Sequence, residues 1–214
     1  MNRKNSVYNP LKNCVGLYDN LSEYILKFYQ TTVRIDEFIK EENTQDNLEP
    51  FWDLPDGYLK RYKFDDFPKE INDIFDRFKI FLNDNKYIYF LPIFIFKNIY
   101  TIENGIYCID ISNNIAYKFK EIDNLNKIYI YSDFNICISY FLNLKNAIIK
   151  DGTQGFINGI VQIGQIYEII NNSFGNTNFD IKSVSVPQQQ FTKMMGISCR
   201  EQLFIKNQLV KMTL

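Results

Sequence analysis

The densest group of side chains that could hold an anion is Lys60-Arg61-Tyr62-Lys63. Guanidinium and ammonium groups suit a phosphate or a peptide carboxylate, although a run of cations is more commonly a solvated face. Gly152-Thr153-Gln154-Gly155 is a second candidate, because backbone amides at the start of a helix point toward phosphates. No Lys-Ser/Thr follows it and no GxGxxG is present, so its plainer role is entry into a helix. The carboxylate pairs Asp65-Asp66 and Glu41-Glu42 lie in polar stretches. Adjacent carboxylates do not flank a substrate by spacing alone, so solvated surface is expected of them rather than acid–base work. The chain has no histidine, and Cys14, Cys108, Cys137 and Cys199 form no CxxC pair. That excludes Cys/His zinc sites and Ser/His or Cys/His nucleophile systems, and no metal is expected.

Several elements must position these groups. Leu17, Leu21, Tyr24, Ile25, Phe28, Val33, Phe38 and Ile39 give a broken helical pattern over residues 17–42, and a polar stretch ending in Pro50 follows. Residues 1–50 are accordingly read as a helical extension and 51–214 as the main domain. Phe67, Ile71, Ile74, Phe75 and Phe78 recur at helical spacing between Asp65 and Leu82, with Pro68 suited to the first turn. From residue 87 the pattern becomes that of strands. Tyr87–Ile99, Gly105–Ile111 and Ile115–Lys120 are separated by Asn/Gly and Ser/Asn turns and read as an antiparallel meander. Lys127–Leu142, Asp180–Val186 and Glu201–Met212 are further strand candidates, and Pro187–Met195 is a short helix closed by Gly196.

The longest helix spans Thr153 to Asn171, with Phe156, Ile160, Val161, Ile163, Tyr167 and Ile170 apolar and Glu168 its sole charge. A helix so poor in charge is expected to be buried, in the core or at a subunit interface. Gly159 and Gly164 interrupt it. Each costs about 1 kcal/mol against alanine, so both are expected to face a neighbouring backbone.

The 214 residues are 46% hydrophobic and 16% aromatic, enough for a substantial core. A net charge of −1 gives no reason to expect nucleic acid or an anionic membrane as partner. Tyr87, Tyr89, Phe90, Phe94, Phe96, Tyr129 and Tyr131 alternate without interleaved cations, which suits a core or interface rather than base stacking. The opening residues lack an apolar signal region, and a cytoplasmic protein with reduced thiols is expected.

Read together, residues 54–211 resemble the SagB-type azoline dehydrogenases of the nitroreductase-like flavoprotein superfamily. Four stretches carry the likeness: Leu54 to Tyr62, the Glu103–Asp110 and Ile115–Ile122 hairpin, Lys145 to Gly152 with the long helix, and Phe191 to Phe204. The resemblance implies an α+β fold with an antiparallel sheet, a long central helix and N-terminal helices. It also implies a homo- or heterodimer. Three features of that family are missing. No Arg-Ser-x-Arg stretch for the flavin phosphate occurs in residues 1–90, and Asn83-Asp84-Asn85-Lys86 replaces a serine- and glycine-rich loop. The family carries a Lys-Tyr pair that supports proton removal shortly before the long helix; counting back from Gly152, the corresponding positions fall near Ile138 and Ser139, with no Lys.

A likeness without the flavin and base residues implies a non-catalytic scaffold subunit of a thiazole- and oxazole-forming synthetase. Its partners would be an active dehydrogenase, a cyclodehydratase or the precursor peptide, and no catalytic residue or cofactor is expected. In the alternative, an FMN-dependent oxidoreductase, Lys60, Arg61, Lys145 or the Gly152–Gly155 amides would hold the phosphate. A second alternative is an unrelated protein-binding module.

Overall fold

The computed structural model describes residues 57–85, 87–122, 134–174, 179–183, 191–192, 195–197 and 202–212. The expected helices of residues 17–42 lie outside these, as do Leu54 to Asp56 and most of Pro187–Met195. The described part is α+β. Seven antiparallel strands form one sheet: β1 (Lys60–Lys63), β2 (Phe90–Phe96), β3 (Gly105–Asp110), β4 (Ile115–Lys120), β5 (Ile136–Asn143), β6 (Phe179–Lys182) and β7 (Gln202–Met212). Their spatial order is β1-β4-β3-β2-β5-β7-β6, so the expected meander occupies one half of the sheet. Helices α1 (Lys69–Asp84) and α2 (Leu144–Phe174) belong to the same unit.

Every residue of β2 and β5 is buried, which follows from their central place and their run of apolar residues. Pro92 within β2 would remove a ladder bond if both its sides were paired. The β2–β3 register starts at Ile93, so at Pro92 only β5 is a partner, through Tyr140. On one face of the sheet α1 seats Phe75 and Phe78 against Phe94, with ring centroids 5.6 and 5.5 Å apart. Helix α2 adds Phe156, Ile163, Ile166, Tyr167, Ile170 and Phe174 to the same cluster, at spacings of three, four and seven. The opposite face carries a second cluster that includes Ile93, Cys108, Cys137, Phe141, Phe191 and Met195. Burial pushes the thiol pKa of Cys108 up, and that of Cys137 up to about 12, so both stay protonated and inert.

The structure corrects several expectations. Helix α1 starts at Lys69, not Asp65. Phe64–Asp66 is instead a 3-10 turn, in which the Lys63 amide donates to Asp66 Oδ2 at 2.8 Å, and Pro68 is the residue preceding the helix. Lys60–Lys63 is an edge strand rather than a bare basic segment. The long helix begins nine residues earlier than Thr153 and ends at Phe174. It is interrupted at Gly152, whose φ of 57° and ψ of −135° are non-helical and suit glycine. Gly196 at φ 73° follows helical Met195, as expected of a position just past a helix end.

Candidate functional site

The interruption in α2 is held onto the start of β2 by specific polar contacts. Gln162 takes a hydrogen bond from the Tyr89 amide at 3.1 Å and donates to the Tyr87 carbonyl at 2.7 Å. The Tyr89 hydroxyl donates to Asp151 Oδ2 in a short contact. Burial, then this carboxylate, raises the Tyr89 pKa well above the ordinary phenol value, so it remains a donor. Gly155 supplies the close backbone approach. A Cβ there would overlap the carbonyl of Ala147, which belongs to the arm of α2 before the interruption.

The two glycines singled out from sequence behave otherwise. A Cβ on Gly159 would meet the side chains of Leu142 and Tyr89, not a backbone. Gly164 is exposed, and a Cβ there would meet nothing within 4 Å. The core accounts for one side of the helix only. One side of α2 packs on the sheet, while Ile160, Val161 and Ile169 stand 37%, 51% and 37% exposed on the other. The sequence pattern missed this because apolar residues occupy both sides of the helix, leaving no amphipathic contrast.

The anion candidates are not gathered into one place. Lys60 and Arg61 lie on β1, separated from β2 by β4 and β3, or about 14 Å at the usual strand spacing. Gly152 and Gly155 sit by Tyr89, just before β2. Lys145 falls in the first turn of α2, and its side chain lies outside the described set. Beside the α2 interruption stands the exposed Asp151 carboxylate, which takes the Tyr89 hydroxyl bond. Lys150 lies with its ammonium 4.3 Å from the Tyr87 ring centroid. A flavin phosphate needs several donors and no adjacent carboxylate, so this set does not fit one. A cavity of about 460 Å³ beside β1 is lined by Lys63, Asp65, Asn72, Asp76 and Asn114 among others, and its two carboxylates against one cation also disfavour an anion. Among the described residues no cluster of Cys, Asp and Glu could hold a metal.

Ile138 and Ser139, near which the resemblance would set the family's base pair, are both fully buried inside β5. Ser139 meets only the Cys137 sulfur at 3.5 Å among the described polar contacts. The next residue, Tyr140, donates its hydroxyl to Gln208 Oε1 at 2.8 Å, and Gln208 in turn donates to Asn171 Oδ1 at 3.1 Å. Burial raises the Tyr140 pKa well above the ordinary value. These residues form a satisfied core network linking β5, β7 and α2, with no base among them.

The sequence did not disclose a buried lysine. Lys118 on β4 is 2% exposed, and its ammonium bridges Glu103 Oε2 at 2.8 Å and Glu121 Oε1 at 2.7 Å. Lys60 reaches the other oxygen of Glu103 at 2.7 Å. Gly105 makes room for the Lys118 stem, since a Cβ there would stand 2.6 Å from Lys118 Cε. Lys118, then Lys60, holds the Glu103 carboxyl down to about 2. Burial would lower the Lys118 pKa, but its two carboxylate partners outweigh that and raise it. A depressed carboxylate stabilises the fold above its unfolded value of about 4.3, and the contribution is lost as pH falls through the folded value. The parent protein is therefore expected to lose stability more steeply than Glu103→Gln between about pH 4.5 and 2, as read from urea midpoints across that range. Parallel curves for the two proteins would contradict this assignment.

No family model matches the chain, and no curated protein matches it. Solved structures do. One is a protein of Anabaena variabilis described as a nitroreductase, with TM-score 0.57 and 13% identity over 73% of this chain and 37% of the other. This chain therefore spans about a third of that protein's length. Another is a chain of the E. coli microcin synthetase McbBCD complex with truncated pro-MccB17 bound. There the TM-score is 0.52 and identity 11%, over 96% of this chain and 98% of the other. No helix among the described residues is long and apolar enough to cross a membrane. The seven-stranded antiparallel sheet, the long helix and these two likenesses together establish that the chain has the nitroreductase-like fold.

Proposed function

We propose that this chain is a SagB-like, non-catalytic subunit of an azole-forming peptide-modification synthetase, pairing with an active dehydrogenase, a cyclodehydratase or the precursor peptide. The observation that carries the reading is the near end-to-end likeness to a chain of the microcin synthetase complex. The fully buried Ile138 and Ser139, near which the resemblance would set the family's base pair, support the non-catalytic part of it. So does the Asp151 carboxylate beside the interruption of α2, which disfavours a phosphate there. Proton removal needs a base with access to substrate, and neither buried residue supplies one. The purified chain is expected to lack a visible flavin absorbance band and to gain no thermal stability from added FMN. A yellow protein that oxidises azolines by itself would overturn the reading in favour of a flavin oxidoreductase.

The outer side of α2 supplies a surface for pairing. Ile160, Val161 and Ile169 are exposed there beside Gly164, whose missing side chain permits close approach. Replacing Val161 and Ile169 together with glutamate is expected to weaken subunit association at least tenfold, or about 1.4 kcal/mol. Because both residues are exposed, the melting temperature of the isolated chain should hardly change. Sedimentation velocity over a concentration series reads the association. Unchanged association would remove this face from the interface.

A further inference from the structure

We infer that the outer edge of β1 is a docking strand for an extended acidic polypeptide segment, which adds to the sheet beside Leu59, Arg61 and Lys63. Strand β1 ends the sheet, and among the described residues no strand pairs with its outer side. Natural edge strands commonly carry lysines that deter pairing, so cations alone would indicate a guarded edge. This edge also displays apolar surface. Tyr58 and Leu59 are 53% and 61% exposed, and the Tyr58 ring lies 5.0 Å from that of Tyr117 on β4.

The register fixes which side chains share a face. Arg61 pairs with Tyr117 and Lys63 with Ile115, while Lys60 pairs with Lys118. Strand alternation then places Leu59, Arg61 and Lys63 on the side of Tyr117, and Lys60 and Tyr62 on the side of Lys118. Lys60 is neutralised by Glu103, and Tyr62 is buried. Arg61 and Lys63 are exposed and enter no ion pair among the described residues; Lys63, unlike Arg61, also lines the cavity that holds Asp65 and Asp76, so Arg61 is the stronger anchor for a carboxylate. The accessible row therefore reads apolar, cation, cation at every second residue. An added strand places its own alternate side chains directly opposite, about 5 Å away between Cβ atoms. The complementary segment carries an apolar residue and two carboxylates at alternate positions. Main-chain bonds to the edge give affinity, and the charge pairs give selection.

This inference rests on the proposed function only in taking the partner to be a polypeptide. The test uses a synthetic probe, so its failure leaves the question of a synthetase complex open. The probe is a capped, fluorescein-labelled peptide, Thr-Val-Thr-Glu-Thr-Glu-Thr-Val-Thr, whose symmetry allows either strand direction. Fluorescence anisotropy against the full chain should show saturable binding. Binding should weaken at least tenfold when alternate peptide amides are N-methylated, because edge bonds are then lost. It should also weaken at least tenfold with Arg61→Glu/Lys63→Glu, and a probe with lysines in place of its glutamates should bind that variant better than it binds the parent. Circular dichroism and melting temperature establish that the variant is folded. Absence of binding to the parent would overturn the inference and leave the cations as guards against edge-to-edge association. Binding that survives N-methylation or charge reversal would overturn it equally.

Discussion

Replacing Phe75 with alanine is expected to lower the unfolding free energy by about 3–5 kcal/mol, the usual range for a large aromatic removed from a tight core. Phe75 is fully buried on α1 and is a junction between that helix and the sheet. Its ring stacks on Phe64 at 4.2 Å and meets Phe67 at 5.2 Å, Phe94 at 5.6 Å and Phe96 at 6.4 Å. Truncation would leave an apolar void whose walls belong to three elements, β2, α1 and the 3-10 turn, so collapse of one cannot fill it. For a chain of this size such a loss lowers the melting temperature by roughly 6–20 °C. Ile80, also on α1 but 54% exposed, provides the contrast: Ile80→Ala should change stability by less than about 0.5 kcal/mol. Chemical denaturation of both variants measures the difference. Equal effects would mean that α1 does not seat on the sheet through Phe75.

The next largest effect is expected at Gly155. A single methyl there would overlap the Ala147 carbonyl. A backbone group cannot swing aside as a side chain can, so Gly155→Ala should cost about 1–3 kcal/mol despite alanine's higher helix propensity. Gly164→Ala should do the opposite and stabilise the isolated chain by up to about 1 kcal/mol, because its site is open and helical. The opposed signs distinguish a packing glycine from an unobstructed one on the same helix. Thermal melts of the two single variants suffice, and a shift in the same direction for both would contradict the geometry.

These two glycines also show what could be read from the chain and what could not. The apolar period that gave α2 its existence was plain in Phe156, Ile163, Tyr167 and Ile170, all buried. Its first arm was not, because Lys145 to Lys150 offers one turn and a half of pattern before a glycine that looks like a helix start. Which glycine met a backbone depended on how the two arms fold back at Gly152, a tertiary fact with no local signal. Strand β1 was hidden for a similar reason: four residues with only Tyr62 buried give no alternation to count. The strands β2, β3 and β5 were legible because burial on both faces forces long β-branched and aromatic runs, and β4 because its burial alternates. The burial of Lys118 could not be read from the chain, since Glu103 reaches it only when β3 and β4 pair, and Glu121 three residues on gives no sign of burial.

The central claim is that this chain acts by association rather than by its own chemistry. Its most direct test is co-expression of the tagged chain with the products of its neighbouring genes, followed by affinity purification and size-exclusion chromatography with light scattering. The account predicts that the chain leaves the column in a defined complex with a synthetase subunit or a precursor peptide among them. A solitary monomer that retains neither a synthetase subunit nor the precursor peptide would contradict it.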